Sequence, residues 1–139
     1  MICSSFMEMR PRALIVEDEA VTRSLLRQLL TSSGCEVDEA TDGEEAIAKL
    51  SAGRYNVILL DIVLPKLSGT HVMDFLREED PESLERVIVV TGLNVEEIRK
   101  LFPTVCHTLG KPVIPTRLLD SVQKCLAANS SSDEVFTRF

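Results

Sequence analysis

The chain has 139 residues, 45% of them hydrophobic and 27% charged, and carries a net charge of −7. That is enough for one compact domain with a true core and too little for two ordinary ones. The balance of 22 acidic against 15 basic residues argues against nucleic acid as this domain's partner, and no apolar run approaches the ~20 residues of a membrane span.

The first nine residues, MICSSFMEM, hold no Lys or Arg and read as part of a loose leader over 1–11 rather than a secretory signal. Ala13-Leu14-Ile15-Val16 is then a continuous apolar run, repeated by Val57-Ile58-Leu59-Leu60 and Val87-Ile88-Val89-Val90. Such runs suit strands buried on both faces, as in a parallel sheet covered by helices. Between them the apolar spacing turns helical. Val21, Leu25, Leu26, Leu29 and Leu30 share one face; Ala46, Ile47 and Leu50 form a second stripe and Val72, Phe75 and Leu76 a third. Leu118, Leu119, Val122, Cys125 and Leu126 form the last.

Glu36 to Ala40 reads as a weaker strand after the Ser33-Gly34 helix stop, and Thr108-Leu109 as another before Lys111. Asn94 is placed to cap a short helix carrying Ile98 and Leu101, which Pro103 prevents from continuing. The order is βα repeated five times. Right-handed crossovers then set helices on both faces of a parallel sheet, giving one α/β domain over 12–128. The stretch 129–139 reads as a polar tail or the start of a linker.

Cys3, Cys35, Cys106 and Cys125 are scattered without a C-x-x-C pair, and His71 and His107 add no metal-ligand spacing. They read as reduced thiols of a cytoplasmic protein. Cys106 and His107 do not read as a catalytic dyad, because adjacent strand residues point to opposite faces.

Ligands of an open α/β sheet bind beyond the carboxyl ends of its strands, near the topological switch point. Strand 1 runs into Glu17-Asp18-Glu19, strand 3 into Asp61, strand 4 into Thr91-Gly92 and strand 5 into Gly110-Lys111-Pro112. Asp61 follows four apolar residues, a costly place for a carboxylate unless it is paired or metal-bound. Clustered carboxylates suit Mg²⁺, which keeps waters that phosphoryl oxygens can replace. Lys111 can neutralise another oxygen and Thr91 can donate to a third. An aspartate so placed is a competent nucleophile for phosphoryl transfer.

These residues carry a family resemblance. Glu17-Asp18, the run Asp61-Ile62-Val63-Leu64-Pro65-Lys66-Leu67-Ser68-Gly69, Thr91-Gly92 and Lys111-Pro112 resemble the response-regulator receiver family over about residues 12 to 128. The resemblance implies a flavodoxin-like sheet with strand order 2-1-3-4-5. It also implies that Asp61 is the phosphoacceptor, served by Thr91 and Lys111. Mg²⁺, for which Mn²⁺ can substitute, would be held by Asp18, Asp61 and the Val63 backbone carbonyl, with Glu17 acting through a water. The phosphoryl donor would be a phosphohistidine on a histidine kinase or a histidine phosphotransfer protein, in the cytoplasm. The output would be a conformational change acting on a downstream effector that the sequence does not identify.

Two other classes stand beside this one: a metal-dependent phosphohydrolase with an aspartyl nucleophile, and a degenerate receiver that only docks. Hydrolases of that kind often carry a general acid two residues past the nucleophile, where this chain has Val63. The intact set of Asp18, Asp61, Thr91 and Lys111 argues against the docking module. Where receivers usually carry an aromatic switch residue, three positions before the lysine, this chain has Thr108. A threonine there is too small to fill the space an aromatic would, and it buries a hydroxyl that needs a partner. Conformational response is therefore expected between Gly92 and Leu101.

Overall fold

Three of the five strands are the continuous apolar runs, and both faces of each are covered. The computed structural model describes residues 10–64 and 66–137, so most of the leader, with Cys3, and Pro65 lie outside the described residues. The elements follow as β1 (Arg12–Val16), α1 (Ala20–Ser32), β2 (Glu36–Ala40), α2 (Gly43–Ala52), β3 (Val57–Leu60) and α3 (Gly69–Glu79). A 3₁₀ turn (Pro81–Arg86) then leads to β4 (Val87–Thr91), α4 (Val95–Leu101), β5 (His107–Gly110) and α5 (Pro115–Thr137). All pairings are parallel, in the order β2-β1-β3-β4-β5. This is the flavodoxin-like topology that the motifs imply.

Because side chains alternate along a strand, each apolar run feeds two cores. Ala13, Ile15, Val57, Leu59, Ile88 and Val90 pack beneath α1 and α5, with Leu26, Leu30, Leu118 and Val122. Leu14, Val16, Ile58, Leu60, Val87 and Val89 pack on the other face with Ala46, Val72, Met73, Leu76 and Ile98, from α2, α3 and α4. Each fully buried aliphatic side chain contributes roughly 1.5–3 kcal/mol relative to exposure. That is why the four buried positions Ala13–Val16, Val57–Leu60 and Val87–Val90 of these strands are all aliphatic.

The helix signals are met locally. The Asp42 carboxylate accepts from the Glu45 amide at 2.8 Å and starts α2. Asn94 caps α4 by accepting from the Glu97 amide at 3.0 Å. The helix then stops at Leu101, ahead of Pro103. Its packing differs from the sequence reading, since Leu101 is exposed and Phe102 turns into the core instead. Val21 also faces solvent, while Leu26 and Leu30 on the same helix are buried in the core. At the other end, α5 continues to Thr137 with no break at the polar stretch that begins at Asn129. Ala127 and Ala128 carry helix propensity into that stretch, and the polar residues that follow cost a helix little.

The expectation of reduced thiols fails at one pair. Cys106 and Cys125 form a disulfide with Cα atoms 6.3 Å apart, while Cys35 is buried and free. Cys106 sits in the bend just before β5, and Cys125 lies on the inward face of α5. Their proximity is thus created by packing and not by sequence spacing. His107 joins them, with a ring nitrogen within 4.8 Å of both sulfurs. The rule that neighbours point apart does not apply, because Cys106 precedes the first extended residue of the strand.

Thr108 is buried beneath the sheet surface, and among the described residues its Oγ1 has no hydrogen-bond partner. An unsatisfied buried hydroxyl costs about 1–3 kcal/mol, whereas an apolar group of the same shape costs nothing comparable. Thr108→Val is therefore expected to stabilise the protein by about 1 kcal/mol, read as a higher urea midpoint at unchanged m-value. A lower midpoint would show that the hydroxyl is satisfied in solution.

Candidate functional site

The chain winds outward in opposite directions from β1 and β3, and the acidic residues lie at that switch point. Val16 pairs in register with Leu60, so the residues that follow, Glu17 and Asp61, leave adjacent strands side by side. The Asp61 amide still bonds to the Val16 carbonyl at 3.0 Å, and the Glu17 amide to that of Ala40 at 3.0 Å. Both carboxylates are carried inward, with Glu17 1% and Asp61 5% exposed. Asp18 and Glu19 turn out to solvent.

Lys111 arrives from the far side of the sheet. Thr91 pairs with Gly110, and the next amide, that of Lys111, donates to the Thr91 carbonyl at 2.7 Å. The Lys111–Pro112 peptide is cis. Lys111 Nζ donates to Asp61 Oδ2 at 3.0 Å and lies 2.8 Å from Glu17 Oε1. The second approach is an ion contact without hydrogen-bond geometry, so among the described residues Oε1 is a buried acceptor with no hydrogen bond. Asp61 Oδ1 accepts from the Val63 amide at 3.0 Å, and Glu17 Oε2 from the Glu19 amide at 3.1 Å.

The loop after β3 is pulled back onto the end of that strand at Gly69. Its amide bonds to the Ile62 carbonyl at 2.9 Å. A Cβ at that position would lie 2.4 Å from the Asp61 carbonyl oxygen and 2.6 Å from Ile62 Cα. Only glycine permits the approach.

Glu17, Asp18, Glu19, Asp61, Val63, Gly92, Leu93 and Lys111 line an open cleft of about 360 Å³. A larger cleft, of about 490 Å³, opens between α2 and α3 at the other end of the sheet. It gathers no comparable set of reactive groups. Of the residues singled out from the sequence, Glu17, Asp18, Asp61, Val63 and Lys111 share the acidic cleft. Thr91 stands behind it: its side chain is fully buried and its Oγ1 accepts from the Leu93 amide at 3.0 Å. The neighbours of Thr91, Gly92 and Leu93, form the wall instead. Cys106, His107 and Cys125 were missed as a group; the inward stripe of the last helix, with Cys125 on it, was the signal that could have found them.

Burial pushes the Glu17 carboxyl up from its usual 4.5, and the charge of Asp61 adds to this, against the opposing pull of Lys111. Burial pulls Lys111 down, but its pairing with the carboxylates of Glu17 and Asp61 outweighs that and leaves it above 10.5. Carboxylate oxygens of Glu17, Asp18 and Asp61 lie within 4.8 Å of one another. One of the three residues, Glu17, also keeps a buried oxygen with no hydrogen bond. An all-oxygen donor set with surplus negative charge fits a hard divalent cation such as Mg²⁺.

Fold and cleft together define a class: a doubly wound domain with an acidic, cation-suited pocket and a lysine at its switch point. A family model, the response regulator receiver domain, matches residues 13–123. The chain belongs to the response regulator receiver family, whose members are phosphoacceptor domains of two-component signalling. It is 33% identical over 118 residues to the transcription factor prr1 of Schizosaccharomyces pombe, covering 84% of this chain and 22% of that protein. The signal receiver domain of a putative LuxO repressor protein from Vibrio parahaemolyticus superposes with a TM-score of 0.83 at 29% identity, covering 91% of this chain and 98% of that one. Response regulator TrrA of Thermotoga maritima, solved in complex with Mg²⁺ and BeF, gives 0.75 at 30% identity, covering 84% and 99%. Among the described residues, no helix is long and apolar enough to cross a membrane.

The raised Glu17 pKa sets the sign of a pH dependence. The folded protein holds that proton more tightly than the unfolded chain does. The associated stability is therefore fully present below about 4.5 and lost as pH rises through the raised folded value. In the presence of chelator, Glu17→Gln is expected to flatten the fall in stability above pH 4.5, followed as urea midpoints. An unchanged slope would show that Glu17 does not carry it.

Proposed function

We propose that Asp61 is the phosphoacceptor of this receiver domain, taking its phosphoryl group from a phosphohistidine on a histidine kinase or a histidine phosphotransfer protein. One observation supports this above the others. Asp61 is a buried carboxylate whose two oxygens are held by Lys111 and by the Val63 amide, facing a cleft open to solvent. One Asp61 oxygen attacks phosphorus, and the P–N bond to the donor imidazole breaks. The imidazole nitrogen leaves with the bonding pair and takes up a proton. Lys111 passes from the free carboxylate to a phosphoryl oxygen, so its charge stays paired as negative charge accumulates. Thr91 then turns its hydroxyl from the Leu93 amide to another phosphoryl oxygen.

Asp18, Asp61 and the Val63 carbonyl would hold Mg²⁺, with Glu17 acting through a water; Mn²⁺ can take the same oxygen donors. The cation would offset the carboxylate repulsion and neutralise charge on the phosphoryl group. The domain catalyses only its own phosphorylation and dephosphorylation. Val63, two residues past the acceptor, is aliphatic and cannot act as the general acid of a hydrolase. We place the protein in the cytoplasm, where a kinase charged from ATP supplies its donor, and infer a separate downstream effector.

With Thr108 as the small residue on β5, the response concentrates between Gly92 and Leu101. Intact mass after incubation with acetyl phosphate and Mg²⁺ is expected to show one phosphoryl adduct, lost in Asp61→Asn or with chelator. Beryllofluoride is expected to alter amide exchange over 92–101 more than around Thr108. An adduct that survives Asp61→Asn would move the site, and a response centred on Thr108 would restore the usual route.

Val63 and Leu93, 58% and 47% exposed, flank the approach of a hydrolytic water and cannot orient it by hydrogen bonding. The aspartyl-phosphate is therefore long-lived. Val63→Asn with Leu93→Glu is expected to speed its decay at least about tenfold, the lower range for positioned general-base assistance. The adduct half-life is the measurement, and equal or slower decay counts against the reading.

A further inference from the structure

A second reactive cluster lies away from the acidic cleft, at the opposite end of β5 from Lys111. Cys106 and Cys125 are joined there across a sequence separation of 19, and a His107 ring nitrogen lies within 4.8 Å of both sulfurs. Cys125 is fully buried against Leu118 and Val122, whereas Cys106 and His107 are only partly buried. This asymmetry leaves one sulfur open to a small reagent and shelters the other. Cys35 provides a contrast. It is buried without a sulfur partner, and burial pushes its thiol up, which keeps it protonated and unreactive.

We propose that Cys106 and Cys125 form a reversible thiol–disulfide redox site, assisted by His107, that fastens the last helix to the sheet when a low-molecular-weight disulfide of the glutathione type oxidises it. Cys106 gives its proton to the His107 ring and attacks one sulfur of glutathione disulfide. A mixed disulfide forms and one glutathione thiolate leaves, taking up a proton. Cys125 then loses its proton and attacks Cys106 Sγ, expelling the second glutathione. Two protein thiols become one disulfide while one glutathione disulfide becomes two thiols, so electrons and protons balance. Reduced glutathione drives the reverse sequence, entering at the less buried sulfur, that of Cys106.

The consequence is mechanical. Leu118, Val122, Cys125 and Leu126 dock α5, and the bond ties the far end of that stripe to the bend before β5. Reduction leaves the apolar contacts in place but frees the helix to loosen from β5. It does so without touching Asp61 or Lys111, so redox state and phosphorylation are separate inputs to one domain.

The test equilibrates the full reduced chain across ratios of reduced to oxidised glutathione, traps free thiols by alkylation and reads intact mass and peptide maps. Two thiols are expected to disappear together as a Cys106–Cys125 link that reduced glutathione reopens. Cys125→Ser is expected to trap glutathione on Cys106. His107→Gln is expected to slow oxidation several-fold while leaving the midpoint ratio unchanged, a split that a purely structural role would not give. The oxidised form is expected to melt about 10 °C higher, as for closure of a loop of this length, with slower amide exchange over 118–126. The proposal is overturned by a link that never forms, one that reduced glutathione cannot reopen, or α5 exchange indifferent to redox state. Zn²⁺ binding to the reduced chain that blocks oxidation would also overturn it, reassigning the cluster as a metal site.

Discussion

The position of a single ammonium group governs the rest of the structure. Lys111 Nζ lies within 3.0 Å of two buried carboxylates that belong to different strands. Without it, Glu17 and Asp61 would be like charges held together in a poorly solvated pocket with nothing to offset their repulsion. With it, one positive charge stands against two negative ones, and Asp18 adds a third at the rim. The surplus negative charge suits the pocket to a cation. The lysine holds the Asp61 carboxylate in place at the floor of the open cleft.

Holding that ammonium in place takes most of the sheet. Lys111 follows β5, which is aligned by pairing with β4; β4 pairs with β3, which carries Asp61, and β3 with β1, which carries Glu17. A one-residue slip in any pairing would turn an acidic side chain to the wrong face. The dense aliphatic packing on both faces is what prevents such slips. Gly69 adds a local constraint, since the loop after Asp61 can close only where no side chain stands.

Much of this was legible in the sequence because the relevant signals are local. Three aliphatic runs mark the inner strands, Asn94 marks a helix start, and the acids, Thr91 and Lys111 stand directly after strand residues. Burial on the edges was harder to read. Val21 and Leu101 fit helical stripes yet face solvent, since a stripe marks a face and not which of its positions the core covers. Thr91 was expected among the gripping residues but stands behind the cleft in this state, its hydroxyl engaged by the Leu93 amide. The Cys106–Cys125 pair escaped for a different reason. Its two halves are distant in sequence and meet only through the docking of α5, a tertiary fact that no spacing rule encodes.

The cleft draws Glu17, Asp61 and Lys111 from the ends of three strands, so only a chain that contains β1, β3 and β5 can assemble all of it. An ion or phosphoryl analogue bound there selects the fully assembled sheet and has little affinity for any opened form. By mass action its binding free energy is added to the stability of the whole domain, not to that of one loop. Occupancy of the cleft and resistance of the distant core to opening are thus two readings of one equilibrium. Exchange protection deep in β3 or β4 would report on a ligand that those residues never touch.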